Sequence, residues 1–164
     1  LARDNGAEVK AYILLKPPYL SEKESIEDAV KSAVDAAPHV DKISINPVNV
    51  QKNTVVERLW LRNEWTAPWL WSVIEVLKQC EDLPIRIYSD PTGGGTRRGA
   101  HNCHDCNKKV LEALKNHRLG LGDLKGLHCN CKPRWNALVK QSKLRRNGSE
   151  PHGYRSGFAG SRHF

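Results

Sequence analysis

The sequence of 164 residues contains no methionine and only 2 phenylalanines. Nowhere does it hold the roughly 20 consecutive apolar residues that a membrane-crossing helix requires. It also lacks the basic, apolar and small-residue succession of a secretory leader. The expectation is a soluble, cytoplasmic protein with no membrane partner, about one domain in size. The missing initiator Met reads as the cut end of a longer chain continuing upstream; a processed or engineered start is the other reading. The glycine run Gly93–Gly95 lacks a following Gly-Lys-Ser/Thr, which speaks against a nucleoside triphosphate loop. Acidic residues are scarce in one half only. Residues 1–96 carry 11 Lys and Arg against 14 Asp and Glu, a net of −3, whereas residues 97–164 carry 15 against 4, a net of +11. The front is an ordinary acidic globular piece, and the back has the charge of a part that meets a polyanion, most often nucleic acid.

What is present in the front half alternates strand and helix. Glu8–Lys16 is β-rich and nearly continuous in apolar residues, which predicts a strand buried on both faces. Pro17 and Pro18 stop it. Ser21 and Glu24 have capping-box spacing, and Ile26, Ala29, Val30, Ala33, Val34 and Ala37 follow at helical period until Pro38. Asp41–Val50 predicts a second strand. Helices are expected to begin near Thr54 and near Pro68, the proline in a first-turn position, and Leu83–Pro91 predicts a third strand. This order argues for α/β architecture with parallel strands. Two or three such units do not close a barrel.

In α/β folds chemistry collects where strands end and helices begin. The loop after the second strand concentrates Asn46, Asn49, Gln51, Lys52, Asn53 and Thr54. Amides there can read a ligand edge as donor and as acceptor; turn chemistry with Thr54 as helix cap explains them equally well. After the third strand, "SDPTGGGTRRG" places Arg97 and Arg98 beside the glycines. That loop reads either as a phosphate contact or as a flexible linker. Trp60, Trp65, Trp69 and Trp71 read first as core packing, with base stacking as the lesser alternative.

Four of the five cysteines form two pairs, Cys103-x2-Cys106 and Cys129-x-Cys131, on either side of a helical pattern at Lys108–His117. Paired thiolates at this spacing suit a tetrahedral structural zinc site. An iron–sulfur cluster is the lesser option, and His101, His104 and His128 are near enough in sequence to replace a ligand. Cys80 reads as a buried thiol. The chain thus divides into 1–91, strands and helices; 92–142, a basic cysteine-rich zinc module; and 143–164, a mobile basic tail.

The runs "YILLKPPYLSEKESIEDAVKSA", "ISINPVNVQKNTVVERLWLRNEWTAPWLWSVIEVLK" and "SDPTGGGTRRGAHNCHDCNKKV" resemble the C-terminal half of an archaeal radical S-adenosylmethionine (SAM) family. That family is related to the elongator catalytic subunit, and the archaeosine synthase radical SAM subunits are the nearest group within it. The resemblance covers roughly residues 8–140. It implies a partial (β/α) barrel around a [4Fe–4S] cluster and SAM, plus the cysteine module. The implied reaction converts a lysine-bearing 7-deazaguanine base in tRNA to archaeosine, with a partner subunit that attaches the lysine. Lys16, Asn46, Asn49, Gln51 and Asn53 would lie on the SAM or substrate side, and Arg97 and Arg98 would contact RNA. The C-x3-C-x2-C triad that binds the family's cluster is absent from this sequence. The resemblance therefore implies a truncated enzyme, inactive by itself. The competing class is a non-enzymatic nucleic-acid-binding zinc protein.

Overall fold

A computed structural model describes residues 5–141. Three parallel strands form one sheet in the order β1 (Lys10–Leu15), β2 (Lys42–Pro47), β3 (Arg86–Ser89). Lys10 lies opposite Lys42, and Lys42 opposite Arg86, so the three strand ends come out at one edge. Helix α1 (Glu22–Ala36) crosses from β1 to β2; α2 (Val55–Leu61) and α3 (Leu70–Gln79) cross from β2 to β3. Two further helices follow, α4 (His104–Leu119) and α5 (Lys132–Gln141).

Local chemistry sets these boundaries. The Ser21 side chain accepts from the Glu24 amide while the Glu24 carboxylate accepts from the Ser21 amide, so the capping box is complete at the start of α1. Pro38 sits in a 3-10 turn, Ala37–His39, that closes that helix. Thr54 caps α2 by accepting from the Glu57 amide. Pro68 falls before the cap residue Trp69 rather than inside the first turn of α3, a shift of one position from expectation.

The sheet is buried on one face only, contrary to expectation for its first strand. Leu15, Ile43, Ile45 and Ile87 point into the helix layer, whereas Tyr12 and Leu14 are 64% and 55% exposed. The apolar run in β1 was legible, but among the described residues the second face has no helix layer: Ser44 is buried there only among the strand side chains, with Lys10 over the Tyr12 and Tyr88 rings. On the covered face α3 is the central helix, with Leu70, Trp71, Val73 and Val76 all buried. Ile26, Ala29 and Ala33 of α1 pack against it, the two alanines allowing close approach. The same continuous core takes in Cys106, Val110 and Leu114 of α4 and Trp135 of α5.

A polar network runs through this packing. Glu22, 6% exposed, accepts from the Trp69 amide (2.8 Å) and the Ser72 hydroxyl (2.7 Å) and forms an ion pair with Lys16. Lys16 also donates to Thr66, and the Trp135 indole donates to Ser72 (2.8 Å). One buried carboxylate thus ties together the end of β1, the start of α3 and α5.

Candidate metal centre

The two cysteine pairs converge. Cys103 is the residue before α4 and Cys106 lies in its first turn, so this helix begins inside the C-x2-C motif, four residues earlier than the sequence pattern indicated. Cys131 immediately precedes α5, a helix that sequence reading missed. Its composition hid it: Trp135 is its one buried residue among three cations, so no apolar stripe marks it. Pro133 in the first turn, with Val139 one helical turn beyond Trp135, is the signal that could have revealed it.

The four Sγ atoms lie within 4.8 Å of one another. Cys103 is 3.6 Å from Cys106 and 3.4 Å from Cys129, and Cys106 is 3.6 Å from Cys131. Tetrahedral Zn–S bonds of about 2.3 Å imply sulfur separations of about 3.8 Å, which the three short pairs and the 4.8 Å span of the set approach. A [4Fe–4S] cubane puts four irons among its thiolates and would spread them further. Four cysteines so close together could hold a metal ion such as zinc, and a complete four-sulfur set leaves no open position for a substrate.

The electrostatics fit a bound cation. Burial pushes the Cys103 thiol up, but hydrogen bonds from Cys129, from the Cys106 amide and from the other two thiols outweigh it and bring the group to about 7. Cys106 is pushed up, by burial first and then by its cysteine neighbours. Cys129 is raised as well: the pull of the Cys131 amide is outweighed by Cys103, burial and the Cys131 thiol. The cluster therefore accommodates one thiolate readily and resists the next, until a cation compensates their repulsion. Outer contacts are in place. The Trp71 indole N–H donates to Cys131 Sγ (3.3 Å), and the N-terminus of α4 favours negative charge at Cys103. Cys80 is buried elsewhere, and burial raises its thiol too.

The other sequence-predicted residues divide among separate places. Asn46, Asn49 and Gln51 line one cleft of about 410 Å³ with Leu14, Asp90 and Thr92, at the C-terminal ends of the strands. They are already interlinked: Ser44 donates to Asn46, Gln51 to Asn49, and Asn49 to the Thr92 carbonyl. Asn53 is outside that cleft. It occupies a left-handed conformation (φ 64°) and donates its amide to Glu57, a helix-entry role. Lys16 lines another cleft and is occupied by Glu22.

Arg97 and Arg98 also separate. Arg98 pairs with Glu57 (2.7 Å), donates to the Val50 carbonyl and stacks on Trp60, 4.9 Å from the ring centre. Arg97 is exposed. The glycine loop between them and β3 is a packed turn and not a slack linker. A Cβ at Gly99 would stand 2.2 Å from the Gly93 carbonyl oxygen, one at Gly94 2.7 Å from Leu111, and Gly93 and Gly95 have positive φ. Trp65 and Trp71 are core residues, as expected, with Trp60 and Trp69 half-buried.

No helix among the described residues is long and apolar enough to cross a membrane. No family model and no solved structure matches the chain. Curated relatives do. An archaeosine synthase subunit beta of Methanosarcina acetivorans is 43% identical over 145 residues, which is 85% of this chain and 41% of the relative. One from Thermococcus kodakarensis is 42% identical over 144 residues, 85% of this chain and 44% of the relative. An uncharacterized protein of Methanocaldococcus jannaschii is 36% identical over 146 residues, covering 40% of its length. The chain is thus similar along most of its length to proteins named archaeosine synthase subunit beta, and it spans about two fifths of theirs.

Proposed function

We propose that this chain is part of an archaeosine-forming enzyme that modifies tRNA, and that Cys103, Cys106, Cys129 and Cys131 hold one structural zinc ion in it. The observation that carries the proposal is the 43% identity over 145 residues to a protein of that name. In this reading the full-length polypeptide is a radical SAM enzyme that acts on a lysine-bearing 7-deazaguanine base and works with a subunit that attaches the lysine. A [4Fe–4S] cluster held by other parts of that polypeptide would supply the electron-transfer chemistry. The described residues offer no cysteine set suited to that cluster, because the one set present is spaced for a single ion. The contribution of this part is positional. Asn46, Asn49 and Gln51 present amides at the strand ends toward SAM or substrate, while Asn53 and Lys16 hold the adjoining loops in shape.

Two measurements test the proposal. Elemental analysis of purified protein should give about one zinc per chain, falling to none in Cys106→Ser; a metal-free wild type would remove the zinc. Nucleoside mass spectrometry of tRNA from cells lacking the gene should show archaeosine lost. Unchanged archaeosine would leave the chain a zinc-stabilised nucleic-acid-binding protein without this enzymatic role.

A further inference from the structure

The segment 62–69, between α2 and α3, and helix α5 together line two clefts that meet. The first, about 440 Å³, runs from Lys16 and Tyr19 to Leu138 and Gln141. The second, about 550 Å³, contains Trp60, Arg97, His101 and Arg134. Trp65, Thr66, Trp69 and Leu138 line both, so together they form one groove. Val50, Trp65 and Ala67 make a small buried cluster beneath it, and the left-handed turn at Asn63 (φ 58°) forms part of its rim.

Three features of this groove converge. Tyr19 is 84% exposed and sits at φ 75°, a conformation that a bulky side chain adopts only at a cost. The fold therefore holds an aromatic ring out in solvent at the mouth of the groove. Next, the second cleft carries two guanidinium groups and an imidazole and no carboxylate. Arg97 and Arg134 are exposed, in contrast to Arg98, which is committed to Glu57. In the first cleft Glu22 is already paired with Lys16, and Glu64 is the other acid. Finally, the floor is indole and leucine, and the Trp65 indole N–H is a buried donor with no acceptor among the described residues. Groups left in that condition in native structures call for an explanation.

We infer that this groove binds a single-stranded RNA segment, with a base stacked on Tyr19 and phosphates taken by Arg97 and Arg134. Exposed aromatic surface next to unpaired cations is what single-stranded nucleic acid requires, since every base has a stacking face and every linkage a charge. Residues 143–164, with five Lys and Arg against one Glu, carry the same sign as the groove, so charge disfavours them as its occupant. The inference rests on the tRNA reading for the choice of RNA, and it moves the RNA-binding role from an Arg97–Arg98 pair to Arg97 with Arg134 and Tyr19.

The test is fluorescence anisotropy of a labelled ten-nucleotide single-stranded RNA with the full chain at two salt concentrations. Tyr19→Ala should weaken binding by roughly 5- to 150-fold, the range given by stacking energies of about 1–3 kcal/mol. Tyr19→Phe should bind like the wild type. Arg97→Ala with Arg134→Ala should make the salt slope shallower by about 1.4, near 0.7 for each phosphate that is no longer neutralised. Lys108→Ala with Lys109→Ala, on the exposed side of α4, should change neither. Every substituted position is exposed, and a thermal melt of each variant verifies folding. Unchanged affinity in the groove variants would overturn the inference, whether the groove is filled by the chain's own residues or by nothing. Competition by polyglutamate as effective as that by RNA of equal charge would overturn it in favour of an acidic protein surface. Archaeosine lost on gene deletion while the groove variants bind RNA normally would defeat the groove alone.

Discussion

Trp71 shows how one side chain can serve two purposes. Its ring is buried in the centre of the core, and its N–H reaches Cys131 Sγ at 3.3 Å. Trp71→Phe removes that donor while keeping an aromatic ring. Outer-shell partners of this kind typically change metal affinity by about 10- to 100-fold. Competition with a chromophoric chelator should show a loss in that range, and an unchanged affinity would make the N–H···S interaction incidental. Glu22 is the other decisive residue. Glu22→Gln leaves Lys16 a buried cation without its counter-ion, and breaking such a pair costs about 3–5 kcal/mol. Urea denaturation should read a loss of that order. Lys16→Met combined with Glu22→Gln should recover much of it, because no charge is then left buried and the amide oxygen can still accept from Trp69 and Ser72. Neither role was legible in the sequence: Glu22 reads as a first-turn acid of α1, and only the distant contributions of Ser72 and Trp135 make it a hub.

Among the elements, the strands and the first three helices follow from patterning and punctuation, because each has an apolar face bounded by Pro, Ser or Thr. The capping box at Ser21 and the cap at Thr54 are local, so local sequence suffices to find them. α5 is different. Its one buried side chain, Trp135, is 5% exposed and finds its partners on α3 and α1. Trp135→Ala should cost about 3–5 kcal/mol, as aromatic truncations in cores do, and should loosen α5 and the adjoining Cys131 together. Loss of both urea resistance and zinc retention would bear this out. The entry to α2 has a pH signature. The Asn53 amide, then Arg98, hold the Glu57 carboxyl below its ordinary 4.5. A depressed carboxylate stabilises the fold above its unfolded value and stops doing so as pH falls through the folded one. Acidification below about 4.5 should therefore release Asn53 and Arg98, followed by amide exchange at Asn53, and in Glu57→Gln that step should be absent.

At the scale of the whole molecule, the core does not respect the boundary that composition draws near residue 92. Cys106, Val110, Leu114 and Trp135 belong to the same buried cluster as Ile43, Leu70 and Val73. Charge and cysteine content describe surface and ligands, and they are silent on which interior a helix packs into. Removal of the proposed metal would therefore act on the whole fold. Chelation should lower a single cooperative melting transition measured by calorimetry; two separate transitions, with only one shifted, would mean that the cysteine-rich part unfolds independently.

The parallel sheet also determines the order of events during folding. No strand meets its neighbour through a hairpin: β1 must wait for all of α1, and β2 for both α2 and α3, before either ladder can form. Such distant pairing is slow. Cys103 and Cys129 are 26 residues apart, so their encounter closes a shorter loop than either strand crossover. If zinc binds the four cysteines as proposed, it would capture them while the sheet is still open and fix the starts of α4 and α5 before β3 settles against α4. In stopped-flow refolding, zinc supplied at the start should give a faster approach to the native fluorescence than the same zinc supplied at the end.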